Sequence, residues 1–421
     1  MSRDVVMTGL SVLAPGSTDT EGFWKMITAG RSAIRRITAF DPAAFRSQVA
    51  GEIDLDPLAL GFSRREARRL DRAAMLAVAC ARRAVTDAGI TGGLAPERVG
   101  VSVGNAVGSA TSIESEYVVL SDEGREWLVD HRYQSPHLFD HFVPASLARE
   151  VAWAVGAEGP VAVVSAGCTS GIDALGHACA LIREGSADVM VAGATDAPVT
   201  PIAVACFDAI RATSRRNDDP ESATRPFDRT RDGFALAEGA AMLVLEDAER
   251  ARRRGADIYA AVTGYAAHCN AYHMTGLTRD GTEMARAITT ALDEARLDPT
   301  AVGYVNAHGS GTPQNDRHET EAFKKALGAH AHRVPVSSIK SMIGHSLGAI
   351  GAIEAAACAL AVRHGVIPPT ANLHEPDPEC DLDYVPLEAR ETALDTVLTV
   401  GSGFGGFQSA MVIEKWRGGR A

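Results

Sequence analysis

The chain has 421 residues, of which 46% are hydrophobic, 22% charged and 5% aromatic, with 40 glycines. That is a globular composition, and the length exceeds what one core usually supports, so two subdomains are expected. A formal net charge of -12 argues against general nucleic-acid or anionic-membrane binding.

In chain order, the first apolar stretch, Val5–Leu13, is short and interrupted by Thr8, Gly9 and Ser11. Met1 to Gly16 therefore reads as a first strand and turn, not a signal peptide. Strands are expected at Val5–Gly9, Val99–Val103, Val161–Val164, Val189–Ala192 and Ala241–Leu245. After the charged segment Glu249–Asp257 they resume at Tyr259–Thr263, Tyr304–Asn306, Val336–Ile339, Val397–Val400 and Ala410–Ile413. Long helices fit Asp71–Ala88, Gly171–Arg183, Thr282–Ala295 and Ala349–Arg363. The alternation predicts a layered α/β protein with mainly parallel sheets. Two runs of five strands suggest two similar halves, residues 1–254 and 255–421, although no residue-level repeat is visible. Residues 106–158 and 205–235 break the pattern and read as insertions suited to a cap or a subunit interface. The softest run, Ala349–Val362, contains Glu354 and is too short to span a bilayer, so a buried helix is expected. Seven cysteines, mostly in apolar contexts and without C-x-x-C spacing, read as reduced thiols of a soluble cytoplasmic protein.

Four expected strand ends carry chemistry. Cys168, in S165-A-G-C168-T-S-G171, lies where a buried strand gives way to a helix. A thiol in a first helical turn feels the positive end of the dipole, which favours thiolate. Gly167 and Gly171 keep Cβ atoms away from the sulfur. A small buried hydrophobe is the alternative, since most cysteines are that. His308 sits in N306-A-H308-G-S-G-T312; Lys340 and His345 sit in K340-S-M-I-G344-H345-S-L-G-A; G401-S-G-F404-G-G406 ends another strand. A lone histidine after a strand is usually an ordinary hydrogen-bonded residue. Four such ends in one α/β chain fit a ligand gathered at the carboxyl ends of strands.

The three motifs around Cys168, His308 and Lys340–His345 together resemble those of the β-ketoacyl synthases, condensing enzymes of the thiolase superfamily. The resemblance runs from V6-M-T-G to G403-F-G-G and is nearest the ketosynthase α-subunit of type II aromatic polyketide synthases, through A203-C-F-D-A-I-R-A-T, N270-A-Y-H-M-T-G276 and D381-L-D-Y-V-P. It implies a thiolase-like α-β-α-β-α fold of two similar halves. It also implies that Cys168 carries an acyl chain, and that His308 and His345 hold the thioester oxygen of malonyl-carrier protein while carbon dioxide leaves. The backbone N–H groups of Cys168 and Phe404 would form the oxyanion site. Phe404, an aromatic between glycines, is a candidate gate over the thiol, with simple core packing the alternative. By family spacing Lys340 and Glu319 would pair and fix the histidine loops; a solvated helix residue is the alternative for Glu319. Thr275, Ser310 and Thr312 would line the phosphopantetheine path, with turn capping an equal alternative for the hydroxyls. Arg64, Arg65, Arg68 and Arg69, and separately Arg211, Arg215 and Arg216, are basic clusters that would dock an acidic acyl carrier protein, or else are solvated faces.

The implied partners are the acyl carrier protein and a homologous chain-length-factor subunit (KSβ) in a heterodimer, with no resident cofactor and no metal. Four other readings are open. A thiolase would carry a second cysteine in the last glycine loop, and none follows Cys380. The non-catalytic chain-length-factor subunit would lack the nucleophile. A zinc hydrolase is disfavoured by Lys340 and the absence of H-E-x-x-H. A fatty-acid-type 3-oxoacyl-carrier-protein synthase is the remaining alternative.

Overall fold

The computed structural model describes residues 3–90, 95–126 and 129–418. Ten strands form one mixed sheet: β1 Val5–Leu13, β2 Val99–Gly104, β3 Val161–Val164, β4 Val189–Asp196, β5 Gly239–Asp247, β6 Ala260–Cys269, β7 Tyr304–Asn306, β8 Val336–Ser337, β9 Thr396–Gly403 and β10 Phe407–Glu414. Their spatial order is β8-β7-β9-β10-β6-β1-β5-β4-β2-β3. The seam is the antiparallel pairing of β1 with β6, Val5 opposite Val262 and Met7 opposite Ala260. Counted outward from that seam, both runs of five strands follow the order 1-5-4-2-3.

The sheet is not mainly parallel, as the alternation had suggested. In each run the second, third and fourth strands are parallel neighbours, and the fifth returns antiparallel between the fourth and the first. For β9 and β10 the cause is the short Phe404–Gly406 turn, which can join only antiparallel strands. Several strands also outrun their expected ends. β4 continues through Thr195 and Asp196, polar residues that are fully buried and bonded. Polarity stops a sequence reading where the ladder does not stop.

Two helices, α1 (Arg72–Asp87) and α2 (Ala145–Val155), share a core cluster with the first half of the sheet. A second pair, α3 (Ser170–Arg183) and α6 (Ile350–His364), packs against both halves. The outer pair α4 (Thr282–Ala295) and α5 (Pro313–Leu327) covers the second half. The layers are therefore α-β-α-β-α. Every residue of α6 from Ile350 to Val362 is buried. Its small side chains permit close approach: a Cβ on Gly171 would stand 2.5 Å from the backbone nitrogen of Ala352. Helix–helix packing, not access to the sulfur, is what requires glycine there. Among the described residues, the helical span Leu347–His364 alone is long and apolar enough to cross a membrane, and 89% of it is buried.

The segment 106–158 is only partly an insertion. Helix α2 within it buries Leu147, Ala148, Val151 and Ala152 against α1. The helix Ala110–Leu120 is different, since Tyr117, Val118 and Val119 are exposed.

Candidate active site

Cys168 follows β3, His308 follows β7, Lys340 and His345 follow β8, and Phe404 follows β9. All lie beyond carboxyl ends of parallel strands, where an α/β sheet leaves a crevice. Cys168, His308, His345, Thr275, Ser310, Thr312 and Phe404 line one cavity of about 40 Å3. The expected residues converge.

A tight turn delivers the thiol. Gly167 takes φ +60, and the Ser170 hydroxyl accepts from the Ala166 N–H at 2.9 Å and donates to the Gly167 carbonyl at 2.6 Å. The Thr169 hydroxyl donates to Asp173 at 2.7 Å, pinning the start of α3. The backbone N–H groups of Cys168 and Phe404 lie near the sulfur and favour its ionised form. These donors and the Lys340 charge favour thiolate, but burial outweighs them and pushes the thiol up to about 12. The expectation of a thiolate from helix position alone is thus corrected: in a closed site desolvation is the larger effect.

The two imidazole rings meet edge to face, 5.2 Å between centroids, and Phe234 packs on His345 at 4.9 Å. Leu347 N–H donates to His345 Nδ1 at 3.2 Å, which leaves the ring proton on Nε2. His308 Nδ1 is buried and has no hydrogen-bond partner among the described residues. Burial first, then the Lys340 charge, holds both rings well below the ordinary imidazole value. They are neutral donors.

The expected ion pair between Lys340 and Glu319 does not form. Lys340 Nζ donates instead to Glu354 Oε1 and to the His308 carbonyl, each at 2.5 Å, with both side chains of the ion pair fully buried. Glu319 accepts from the N–H groups of His308 at 2.5 Å and Gly309 at 2.8 Å. Burial raises its carboxyl to about 8. Both residues still brace the His308 loop, Glu319 from its amides and Lys340 from its carbonyl. Glu354 was visible in the sequence as the lone charge in an apolar helix, a position that demands a partner.

The hydroxyls do two things at once. Thr312 accepts from Asn315 N–H as the cap of α5, Ser310 lies 3.0 Å from Thr312 Oγ1, and both still line the cavity. Phe404 is 36% exposed and stacks on Phe207 at 6.4 Å. Phe404 forms part of the wall of the cavity that holds Cys168, so a shift of its ring would change access to the sulfur. Asp316, which sequence reading passed over, bonds Gly311 N–H and Phe227 N–H and pairs with Arg231.

The basic clusters divide. Arg64, Arg65 and Arg68 are exposed on the helix Arg64–Arg69. Arg69 is not available for docking, because it is bonded to Glu150 at 2.5 Å. Arg211 and Arg215 join Arg46 around a hollow of about 430 Å3.

The neutral rings make a testable linkage. Below about pH 6.5 the unfolded chain binds protons that His308 and His345 refuse, so their share of stability is present above that pH and lost below it. The raised carboxyls Glu319 and Asp196, at about 8 and about 7, act with the opposite sign, because the folded state keeps their protons. The difference between proteins isolates the rings. From pH 6.5 to 5.5, His345→Gln should lose less stability than the wild type, by up to about 1 kcal/mol. Denaturant titration at both pH values checks it.

Comparison with known proteins agrees with this geometry. The chain matches the N-terminal domain of β-ketoacyl synthases over residues 2–251 and the C-terminal domain over residues 259–374. A granaticin polyketide β-ketoacyl synthase from Streptomyces violaceoruber is 67% identical, covering 99% of both chains. The ketoacyl synthase α-subunit of the tetracenomycin polyketide synthase from Streptomyces glaucescens is 63% identical over 98% of this chain and 97% of that one. Among solved structures, the ketosynthase of a type II polyketide synthase, in complex with its acyl-carrier protein and bound to a hexaketide, superposes with a TM-score of 0.93. It is 38% identical, over 99% of this chain and 100% of that one.

Proposed function

The chain belongs to the β-ketoacyl synthase family, and from that premise we propose how its residues perform the condensation of a type II polyketide synthase. The convergence of Cys168, His308 and His345 on one cavity carries the reading. An acyl-carrier thioester meets Cys168, whose sulfur bonds to the acyl carbon while the two backbone N–H groups hold the oxyanion. The Cys168 proton leaves with the pantetheine sulfur, so the exchange is close to thermoneutral. Malonyl-carrier protein then threads past Thr275, Ser310 and Thr312. His308 and His345 donate to its thioester oxygen, and the electron pair released by carbon dioxide is held as an enolate. That carbanion attacks acyl-Cys168, frees the thiolate and leaves a chain two carbons longer on the carrier. Lys340 and Glu319 hold the histidine loop and touch no substrate.

Residues 1–254 supply the thiol and the partner-facing insertions, and residues 255–421 the histidines, the lysine and the gate. No resident cofactor is needed, because phosphopantetheine arrives on the carrier protein. Two solved relatives carry such partners in their descriptions, one an acyl-carrier protein and the other a chain-length factor. Here the free edge of β3, with Val161 exposed, and the apolar side chains of Ala110–Leu120 suit a homologous subunit. The reaction belongs in the cytoplasm, where carrier proteins are loaded.

Arg46, Arg211 and Arg215 are the favoured carrier contact. Arg211→Glu should raise the KM for malonyl-carrier protein about tenfold and flatten its salt dependence, with kcat unchanged. Steady-state rates at two ionic strengths check this. The function as a whole is tested by incubating the chain with its partner subunit and malonyl-carrier protein, then weighing the carrier-bound products. Absence of two-carbon extension would overturn it.

A further inference from the structure

Asp196 closes β4, and none of the steps above uses it. Its carboxylate is wholly buried, and burial raises it to about 7. It gathers donors from two loops. From the first come Asn105 Nδ2 at 3.0 Å, Ala106 N–H at 2.9 Å and Val107 N–H at 3.1 Å. From the second come Gly348 N–H at 2.8 Å and the Ala349 N–H. The fit leaves no room, since a Cβ on Gly348 would stand 2.7 Å from Asp196 Oδ2.

Immediately before Gly348, Leu347 takes φ 48. The left-handed region costs a residue with a bulky side chain about 1–3 kcal/mol and persists only where surroundings enforce it. This strained residue is also the one whose N–H donates to His345 Nδ1.

We propose that Asp196 is a positioning residue for the condensation. It clamps the turn at Leu347 and Gly348 so that the Leu347 N–H occupies His345 Nδ1 and the ring presents Nε2–H to substrate. A hydrogen bond at one imidazole nitrogen decides which nitrogen carries the proton, so a clamp on the turn is a clamp on the tautomer. Donors from two loops converging on one buried carboxyl tie the Gly348 turn to the end of β4, and such an enclosure can hold a strained residue in place. The same carboxylate fixes Ala106 and Val107, which pack in one apolar cluster with Cys168. One buried anchor therefore sets both the wall beside the thiol and the donor opposite it. The inference rests on His345 serving as a donor to the malonyl thioester.

The test uses the full chain with its partner subunit. Asp196→Asn should lower kcat for carbon dioxide release from malonyl-carrier protein about 100-fold, the scale of one lost donor, with KM within about twofold. A loss in KM alone, or no loss, overturns the proposal. Nitrogen-15 spectra of ring-labelled histidine should show His345 Nδ1 unprotonated in the wild type and mixed tautomers in the variant. A wild-type His345 protonated at Nδ1 overturns the proposal even if the variant does not fold. His345→Ala separates the layers: retained decarboxylation there sinks the role of His345 itself. Loss there beside normal Asp196→Asn kinetics sinks only the clamp.

Discussion

Cys168→Ala should abolish chain extension while leaving carbon dioxide release from malonyl-carrier protein measurable. Among the described residues lining the cavity, Cys168 carries the one thiol, and the backbone N–H groups of Cys168 and Phe404 lie beside it. Removal of a covalent nucleophile costs on the order of 10^6 in rate where it has been measured in a hydrolase, and a loss of that scale is expected for extension. Decarboxylation depends on different atoms. His308 and His345 keep their geometry when the sulfur goes, because their loops are held by Glu319, Lys340 and the Leu347 amide. Carbon dioxide trapping and mass spectrometry of the carrier protein read the two activities separately. Extension at the wild-type rate would remove Cys168 from the mechanism.

His308→Ala should produce the complementary pattern. A neutral imidazole that stabilises a developing enolate in a dry site is worth about 10^2–10^3 in rate, the scale of one oxyanion donor. Carbon dioxide release should fall by that factor. Acyl transfer onto Cys168 should continue, since its oxyanion donors are backbone amides. Intact-protein mass spectrometry after exposure to acyl-carrier protein should still show the acylated thiol. Undiminished carbon dioxide release would show that His308 does not touch the malonyl group.

The contrast between these variants follows from which features the sequence displays. Cys168, His308, His345 and Phe404 were legible because each stands just after an apolar strand, and strand ends are visible as a change from β-branched residues to glycine. Their convergence in one cavity follows once those strands lie parallel. Partner choice was not legible. The family spacing implied Glu319 as the counter-ion of Lys340. The structure pairs it with Glu354 because α6 enters the core alongside the lysine, whereas Glu319 turns its carboxylate to two backbone amides. Arg69 shows the same limit, since Glu150, which neutralises it, lies 81 residues away. The ionisation of Cys168 was misjudged for a related reason: dipole position is local and readable, whereas desolvation depends on everything packed above it.

The repeated strand order has a consequence for how such chemistry is housed at all. Two units of like topology, joined edge to edge at the seam of β1 and β6, offer matching positions, yet bond formation between carbons needs unlike groups. Here the chain breaks the likeness at three equivalent strand ends. After the third strands stand a thiol, Cys168, and an ammonium, Lys340. After the second strands stand an amide, Asn105, and an imidazole, His308. At the fourth strands stand an acid, Asp196, and an aromatic, Phe404. Neither unit holds a complete reactive set, so a fragment of either kind, however well folded, would be chemically mute.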